Sequence, residues 1–243
     1  MRSLAVFSVK GGVGKSALAV NLAHAAATLS ARRTLLWDLD TQGAATYTLR
    51  LSARPDASAR KGIAEGELGP LIQASDFPGL DVLAADKSLR QLEKQLADDK
   101  AKRLKKLVKS LDQDYDRVIL DCPPGLTELA DQVFRAVDLL VVPMLPSPLS
   151  MRAYDQLVDH LAKHHKGSAP AILPVFTMVD RRKALHAATI AAAPERATIP
   201  YAAAVEAMAA TQLPVLVKAP KSPAAAAFRA LWTDVERLLT RVA

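Results

Sequence analysis

Short apolar runs alternate with stretches of helical periodicity along most of the chain. Runs of this kind are predicted as buried strands at 4–9, 34–39, 80–84, 117–121, 139–143 and 171–178, with a further short strand near Thr198. Strands that alternate with helices favour an α/β fold, a doubly wound and mostly parallel sheet with helices on both faces. In such folds the ligand crevice lies at the carboxyl ends of the strands.

Two helical segments have one strongly apolar face. In residues 87–111, leucines recur at helical spacing opposite a basic face, which is either a solvated surface or a surface for a polyanion or partner. The basic residues are Lys87, Arg90, Lys94, Lys100, Lys102, Arg103, Lys105, Lys106 and Lys109. The last segment carries an apolar stripe from Phe228 to Val242, which we interpret as packing against the sheet.

Composition narrows the class of protein. The 243 residues, half of them apolar, fit one large domain spanning residues 1–243. No apolar run is long enough for a transmembrane helix or a signal peptide, and a single cysteine, Cys122, permits no internal disulfide. We therefore expect a cytoplasmic protein. The net charge of +7 favours attraction to a polyanion.

Residues 10–16 read Lys-Gly-Gly-Val-Gly-Lys-Ser and lie between the first predicted strand and a predicted helix at 16–27. Strand, glycine loop and helix form the context of a phosphate-binding loop. The glycines let backbone N–H groups converge on phosphate oxygens, Lys15 can reach the β- and γ-phosphates, and Ser16 can ligate Mg²⁺. Val9 stands where the full pattern has glycine, and a second lysine, Lys10, opens the loop.

This two-lysine loop resembles that of the deviant Walker A ATPases, the family of ParA/Soj partition proteins and MinD. The resemblance implies ATP and Mg²⁺ as cofactors and an ATP-dependent homodimer. It also implies that Lys10 crosses the dimer interface to the partner's nucleotide. The residues expected to bind nucleotide are Lys10, Gly11, Gly12, Val13, Gly14, Lys15, Ser16 and Ala17.

Acidic residues end two of the predicted strands. Residues 38–43 read Asp-Leu-Asp-Thr-Gln-Gly, similar to the Asp-x-Asp-Pro-Gln-Gly of ParA-type proteins, with Thr41 in place of proline. By that match Asp40 positions or activates the attacking water, and Asp38 supports the metal site. Asp121 ends an apolar strand as in a Walker B motif, where a carboxylate holds Mg²⁺, usually through water. We expect Cys122 to be inert.

Residues 213–222 are similar to the family's loop whose proline packs on adenine, and Pro220 occupies that position, preceded by Ala219 instead of an acidic residue. The Pro-Ser-Pro-Leu run at 146–149 resembles the compact plasmid-partition and cargo-positioning branch. Tyr201 stands where chromosomal relatives carry an arginine implicated in DNA contact. The alternative DNA-contact candidates are Arg181, Arg182, Lys183, Lys218, Lys221 and Arg229, with the 87–109 basic face as second choice.

His160 and His164 are one helical turn apart and could share a metal ion, but no third ligand follows from the spacing. We interpret them as surface or hydrogen-bonded histidines.

The resemblance implies an ATPase that dimerises on ATP and positions a cargo on non-specific double-stranded DNA. The cargo is a plasmid, a chromosome region or a protein assembly. Hydrolysis should be slow until a ParB-like or adaptor protein stimulates it, and the ATP form should associate with the nucleoid. Two alternatives stay open: a MinD-like ATPase on a membrane surface, and an ATP-dependent biosynthetic ligase on the same scaffold.

Overall fold

The computed structural model describes residues 1–54, 65–86 and 102–241. Its eight strands form one sheet in the order β3-β4-β2-β5-β1-β6-β7-β8. Every neighbouring pair is parallel except β3 and β4. The strands are β1 (Arg2–Val6), β2 (Thr34–Asp38), β3 (Ile72–Ala74), β4 (Leu80–Leu83), β5 (Arg117–Asp121), β6 (Leu139–Met144), β7 (Ala171–Val179) and β8 (Ala197–Pro200).

Helices cover both faces of the sheet, as predicted. They are α1 (Lys15–Leu29), α2 (Ala44–Thr48), α3 (Arg103–Ser110), α4 (Glu128–Ala136), α5 (Pro148–His164), α6 (Ala184–Ala191), α7 (Ala203–Glu206), α8 (Met208–Thr211), α9 (Val215–Lys218) and α10 (Pro223–Arg241). One core contains Leu36 and Ile119 with side chains of α1 and α10, and the other contains Trp37 and Leu120 with side chains of α3, α4 and α5. Alternate strand residues thus feed opposite cores.

The predicted strands agree with the sheet, and 117–121 matches β5 to the residue. The first strand was predicted at 4–9 but covers Arg2–Val6, because the chain leaves the ladder to begin the glycine loop. The edge strand β3 was not predicted. It is three residues long and pairs antiparallel along one edge, too short to show alternation in the sequence.

The two amphipathic segments behave as their patterns indicate where the structure describes them. Of the 87–111 segment, residues 87–101 lie outside the described residues. In α3, Leu104, Leu107 and Val108 are buried. In α10 the stripe packs on the sheet, with Phe228 and Trp232 among its buried residues; Val242 is not described. None of the described helices is long and apolar enough to cross a membrane.

An ion-pair cluster ties α10 to the amino end of the sheet. Arg117, the first residue of β5, donates through Nε and Nη2 to Glu236 at 2.9 and 2.6 Å. Arg32 donates to the same carboxylate at 2.8 and 3.1 Å. The side chain of Arg117 is only 7% exposed. The ion pair between Arg117 and Glu236 therefore attaches α10 to the sheet through a guanidinium that is largely shielded from water.

Candidate functional site

The glycine loop joins the carboxyl end of β1 to the first turn of α1. Gly12 and Gly14 have φ of 72° and 84°, a left-handed conformation that glycine adopts without a Cβ clash. Within the described residues, the N–H groups of residues 11–14 have no hydrogen-bond acceptor. Unpaired amides beside a helix N-terminus form an anion-binding site.

A threonine on β7 fixes this loop against the sheet. The hydroxyl of Thr177 lies 2.8 Å from the carbonyl oxygen of Val13 and 3.3 Å from that of Met144. It therefore links the loop to the end of β6. The sequence analysis did not single out Thr177, since a lone threonine within an apolar strand gives no signal.

Asp38 and Asp121 are the last residues of adjacent strands and are paired in register across β2 and β5. Leu36 and Ile119, two residues earlier, pack in the core on the α1 side of the sheet. Because side chains alternate along a strand, both carboxylates face α1. Both are fully buried, so the structure brings together two of the three residues, Ser16, Asp38 and Asp121, that the sequence predicted as metal-binding.

The two carboxylates differ in their hydrogen bonds. Asp38 accepts from the N–H of Asp40 at 3.1 Å and from the N–H and hydroxyl of Thr46 at 2.9 and 2.8 Å. Neither oxygen of Asp121 has a hydrogen-bond partner of good geometry among the described residues. A buried carboxylate without partners is costly to ionise, and a bound cation would satisfy it.

Burial raises the pKa of Asp38 from 3.8 to about 6, against the hydrogen bonds from Thr46 that lower it. Burial also raises the pKa of Asp121 well above its ordinary value, and the charge of Asp38 adds to the rise. The Ser16 hydroxyl and the Lys15 ammonium lower the pKa of Asp121. Ser16 therefore lies near Asp121, although the pair does not meet the geometry of a hydrogen bond.

Asp40 follows the end of β2 and is only half-buried. One of its carboxylate oxygens accepts from the N–H of Gln42 at 3.0 Å. Its charge raises the pKa of both Asp38 and Asp121, which places it beside the buried pair. Asp40 thus combines proximity to the cluster with access to solvent.

Thr46, on α2, is a residue that the sequence analysis missed. Its hydroxyl donates to Asp38 and accepts from the N–H of Ala85 at 2.9 Å. It therefore connects the β2 carboxylate to the segment after β4. Eight residues separate Thr46 from Asp38, and only the fold makes them neighbours.

The two lysines of the loop have different environments. Lys15 is buried and lies close enough to Asp121 to lower its pKa. Lys10 is half-buried, and its side chain pairs with no carboxylate in the described part of the chain. Lys10 is therefore available to an anion from outside the chain.

An apolar cavity of about 200 Å³ opens beside the start of α1. Gly14, Ala17, Met178, Pro200 and Tyr201 are among the residues that line it. Pro220 does not line this cavity. It is exposed, and its carbonyl accepts a hydrogen bond from Arg229. Its contact with adenine stays a prediction.

Most of the basic residues proposed for DNA contact are exposed. Arg181, Arg182 and Lys183 precede α6 in consecutive exposed positions. The guanidinium of Arg182 pairs with Asp180 at 2.8 and 2.9 Å, yet its side chain is 86% exposed. Lys218 and Lys221 are also exposed, whereas Arg229 is half-buried.

The histidines are exposed or hydrogen-bonded, as interpreted from the sequence. His164 is exposed and does not share a ligand set with His160. The third group that the spacing did not provide comes from elsewhere in the fold, because Asp131 and His165 lie against His160.

Comparison with known proteins agrees with the resemblance carried by the glycine loop and the strand-end aspartates. A family model described as an AAA domain matches residues 1–172. The chromosome partitioning protein ParA of Caulobacter vibrioides is 31% identical over 195 residues, which cover 76% of this chain and 72% of the relative.

Solved structures match nearly the whole fold. Apo McdA from Cyanothece superimposes with a TM-score of 0.85 at 20% identity, covering 97% of this chain and 99% of that one. A cobyrinic acid a,c-diamide synthase from Mycobacterium smegmatis, with a bound ATP analogue and magnesium, has a TM-score of 0.81 at 26% identity. The match covers 98% of this chain and 94% of the synthase chain.

Proposed function

We propose that this chain, which belongs to the ParA/MinD family of P-loop ATPases, uses ATP-dependent dimerisation to position a cargo on double-stranded DNA. The observation that carries the proposal is the cluster at the carboxyl ends of β1, β2 and β5. There the unpaired loop amides, Lys15 and Ser16 lie beside two buried carboxylates. The cargo would be a plasmid, a chromosome region or a protein assembly.

The loop would hold the phosphates of ATP. The N–H groups of residues 11–14 and the N-terminus of α1 donate to phosphate oxygens, and Lys15 neutralises their charge. The apolar cavity beside Gly14 and Ala17 is in position to receive the base. Its walls of Met178 and Pro200 suit a planar aromatic ring.

The residues present fit a magnesium ion. Both oxygens of Asp121 are buried and have no hydrogen-bond partner in the part of the chain that the structure describes, and Ser16 and Asp38 lie beside it. Hard oxygen ligands of this kind suit Mg²⁺. When bound, Mg²⁺ would neutralise charge on the β- and γ-phosphates. Thr46 would hold Asp38 in place for this role through its two hydrogen bonds.

Asp40 would orient the attacking water, because it is near the carboxylate pair yet accessible to solvent. Hydrolysis would be slow without a partner protein. Among the contacts of the described residues, no arginine lies beside the glycine loop to stabilise charge on the phosphates. A ParB-like or adaptor protein would then stimulate turnover and release the dimer from DNA.

Lys10 would reach the nucleotide of the second subunit, consistent with its lack of an acidic partner among the described residues. We expect Lys10→Ala to retain ATP binding and to lose the ATP-dependent dimer. Size exclusion with light scattering, in ATP and in ADP, measures this. An undiminished ATP dimer would remove the trans role of Lys10.

The ATP dimer would place two basic surfaces on one DNA duplex and would associate with the nucleoid. The first candidate surface for DNA contact is the exposed basic group of Arg181, Arg182 and Lys183, and α3 is the second choice. Phosphate contacts of this kind carry no sequence preference and weaken with salt.

The membrane-surface alternative has less support from the described residues. The apolar stripe of α10, including Phe228, Leu231 and Trp232, is buried against the sheet and α1. The ligase alternative draws on the fold match to the mycobacterial synthase. A ligase would need a second, small substrate, so ATP hydrolysis would depend on that substrate and not on DNA or dimerisation.

The test is DNA binding with ATP, a non-hydrolysable analogue and ADP, on two unrelated duplexes at two salt concentrations. We expect binding with ATP and the analogue, little with ADP, and equal affinity for both duplexes. The slope of log K against log salt should be about −0.9 for each neutralised phosphate.

Two triple variants identify the surface. Replacing Arg181, Arg182 and Lys183 with alanine should weaken binding and reduce the salt slope by roughly 1 per lost contact. Replacing Lys105, Lys106 and Lys109 removes the same charge from α3 and serves as the matched control. Equal losses would indicate net charge alone, and a loss only in the α3 variant would move the interface there. Nucleotide-independent binding, or none at low salt, would exclude DNA as the matrix.

A further inference from the structure

Three potential metal ligands meet at one point outside the nucleotide site. The Nε2 atoms of His160 and His165 lie 2.8 and 2.7 Å from the same carboxylate oxygen of Asp131. One ligand atom from each residue lies within 4.8 Å of the others. The convergence of both rings on a single oxygen makes a compact donor set.

The fold brings these residues from two helices. Asp131 lies in the first turn of α4, and His160 and His165 lie at the end of α5, His165 being the residue that caps it. The side chain of His165 is fully buried, while His160 and Asp131 are 21% and 23% exposed. The donor set is therefore anchored inside the protein and open to solvent on one side.

The carboxylate retains capacity for a cation. Among the described residues, the second carboxylate oxygen of Asp131 accepts no hydrogen bond, and the nearby Arg135 donates to the main-chain carbonyl of Asp131. The ring of His165 is further fixed edge-to-face against Phe134, with ring centroids 5.5 Å apart. Fixed rings lose little freedom when a metal binds.

We propose that Asp131, His160 and His165 form a binding site for a transition-metal ion, with zinc as the favoured occupant. Two imidazoles and one carboxylate are a common zinc ligand set that leaves a fourth position for water. Imidazole nitrogen also disfavours Mg²⁺ and Ca²⁺, which take oxygen ligands. The nucleotide site and this site would thus select different metals.

The geometry also sets the strength of the site. Metal binding at Nε2 moves the ring proton to Nδ1, and the Nδ1 atom of His165 is buried without a partner in the described chain. Metal-bound histidines usually donate this proton to an acceptor, which is worth roughly 10–100-fold in affinity. We therefore expect weaker zinc binding than at a site whose histidines both have such an acceptor. Protons compete for the same nitrogens, so binding weakens on acidification.

A bound ion would join α4 to α5. Thr127 caps α4 immediately after the loop that follows Asp121, and α5 begins four residues after β6 ends. A metal link between the two helices would stabilise the core to which they contribute Phe134 and Leu157. At a zinc concentration about 100-fold above Kd, the unfolding midpoint should rise by roughly 5–11 °C.

The experiment uses the full chain without a polyhistidine tag, stripped with chelator and then dialysed against zinc chloride with excess magnesium. The excess magnesium competes with zinc for the carboxylates of the proposed nucleotide site. Metal analysis should give one zinc per chain. Cobalt(II) should give the intense visible bands of a four-coordinate site, which reports the geometry independently.

Three variants separate ligands from neighbours. His160→Ala and Asp131→Asn should each lower zinc affinity more than about 100-fold and abolish the thermal shift. The matched control is His164→Ala, because this exposed ring lies 4.6 Å from that of His160 but outside the donor set; it should bind zinc normally. His160 is partly exposed, so its replacement should leave the chain folded.

Zinc binding that survives His160→Ala and Asp131→Asn, or is lost with His164→Ala, would overturn the assignment. If the wild-type protein binds no zinc, the metal-site assignment is wrong and the three residues form only a hydrogen-bond network.

Discussion

Replacing Asp121 with asparagine should stabilise the protein without nucleotide and weaken its response to Mg·ATP. The carboxylate is fully buried, its two oxygens have no hydrogen-bond partner in the described chain, and Asp38 lies in register beside it. In the absence of metal this arrangement is unfavourable, since burial and the neighbouring charge oppose ionisation. Asparagine keeps the shape and removes the charge.

The magnitude follows from the lost partners. An unsatisfied buried polar group costs about 1–3 kcal/mol, and more when it is charged. Asparagine is itself unsatisfied, so only part of the cost is recovered and we expect about 1–2 kcal/mol of stabilisation. For a chain of this size each kcal/mol moves the unfolding midpoint by roughly 2–4 °C. The variant should therefore melt roughly 2–8 °C above the wild type in chelator.

The assay is thermal unfolding of both proteins at pH 7.5, first with chelator and then with Mg²⁺ and a non-hydrolysable ATP analogue. The order of the two midpoints should reverse, because only the wild type gains a metal ligand. Asp114→Asn is the control, since Asp114 is exposed and the same substitution there should have no effect. If Asp121→Asn is less stable than the wild type in chelator, the Asp121 carboxylate does not destabilise the metal-free protein and the argument is refuted.

Three other acidic groups, Asp38, Asp40 and Glu236, allow separate tests. The pKa of Asp38 is raised from 3.8 to about 6, so the folded state holds a proton that the unfolded state releases. The nucleotide-free protein should lose about 3 kcal/mol of stability as the pH rises from about 4 to above 6, measured by urea unfolding; a flat profile would contradict the burial argument. Asp40→Ala should bind ATP and accumulate as a dimer, with turnover reduced by roughly 10²–10⁴ in a phosphate-release assay; turnover within twofold of wild type would move the role to Asp38. Glu236→Ala should lower the free energy of unfolding by about 2 kcal/mol, since it leaves the largely buried guanidinium of Arg117 without a carboxylate partner among the described residues. Asp234→Ala, which breaks only the exposed pair with Arg237, should cost less than about 0.5 kcal/mol, and equal costs would show that burial is not decisive.

The sequence determined the features that depend on local order. The loop at 10–16 was predictable because its glycines, lysines and serine are consecutive, and strand–loop–helix context is a local property. The strand β5 was predictable because burial on both faces produces a continuous apolar run, and the stripe of α10 was predictable because burial of one helix face imposes the helical period. The short antiparallel strand β3 was missed because three residues carry no period.

The tertiary structure decided which distant residues became neighbours. Thr46 supports Asp38, and Thr177 fixes Val13, through hydroxyls that leave no pattern in the sequence. His160 lies one turn from His164, yet it meets His165 and Asp131, because the packing of α5 on α4 selects the contact. The sequence alone determined that a phosphate loop and two strand-end carboxylates exist. Only the strand order, which places β5 between β1 and β2, decided that Asp121 is desolvated beside Asp38, because desolvation depends on what surrounds a group in space.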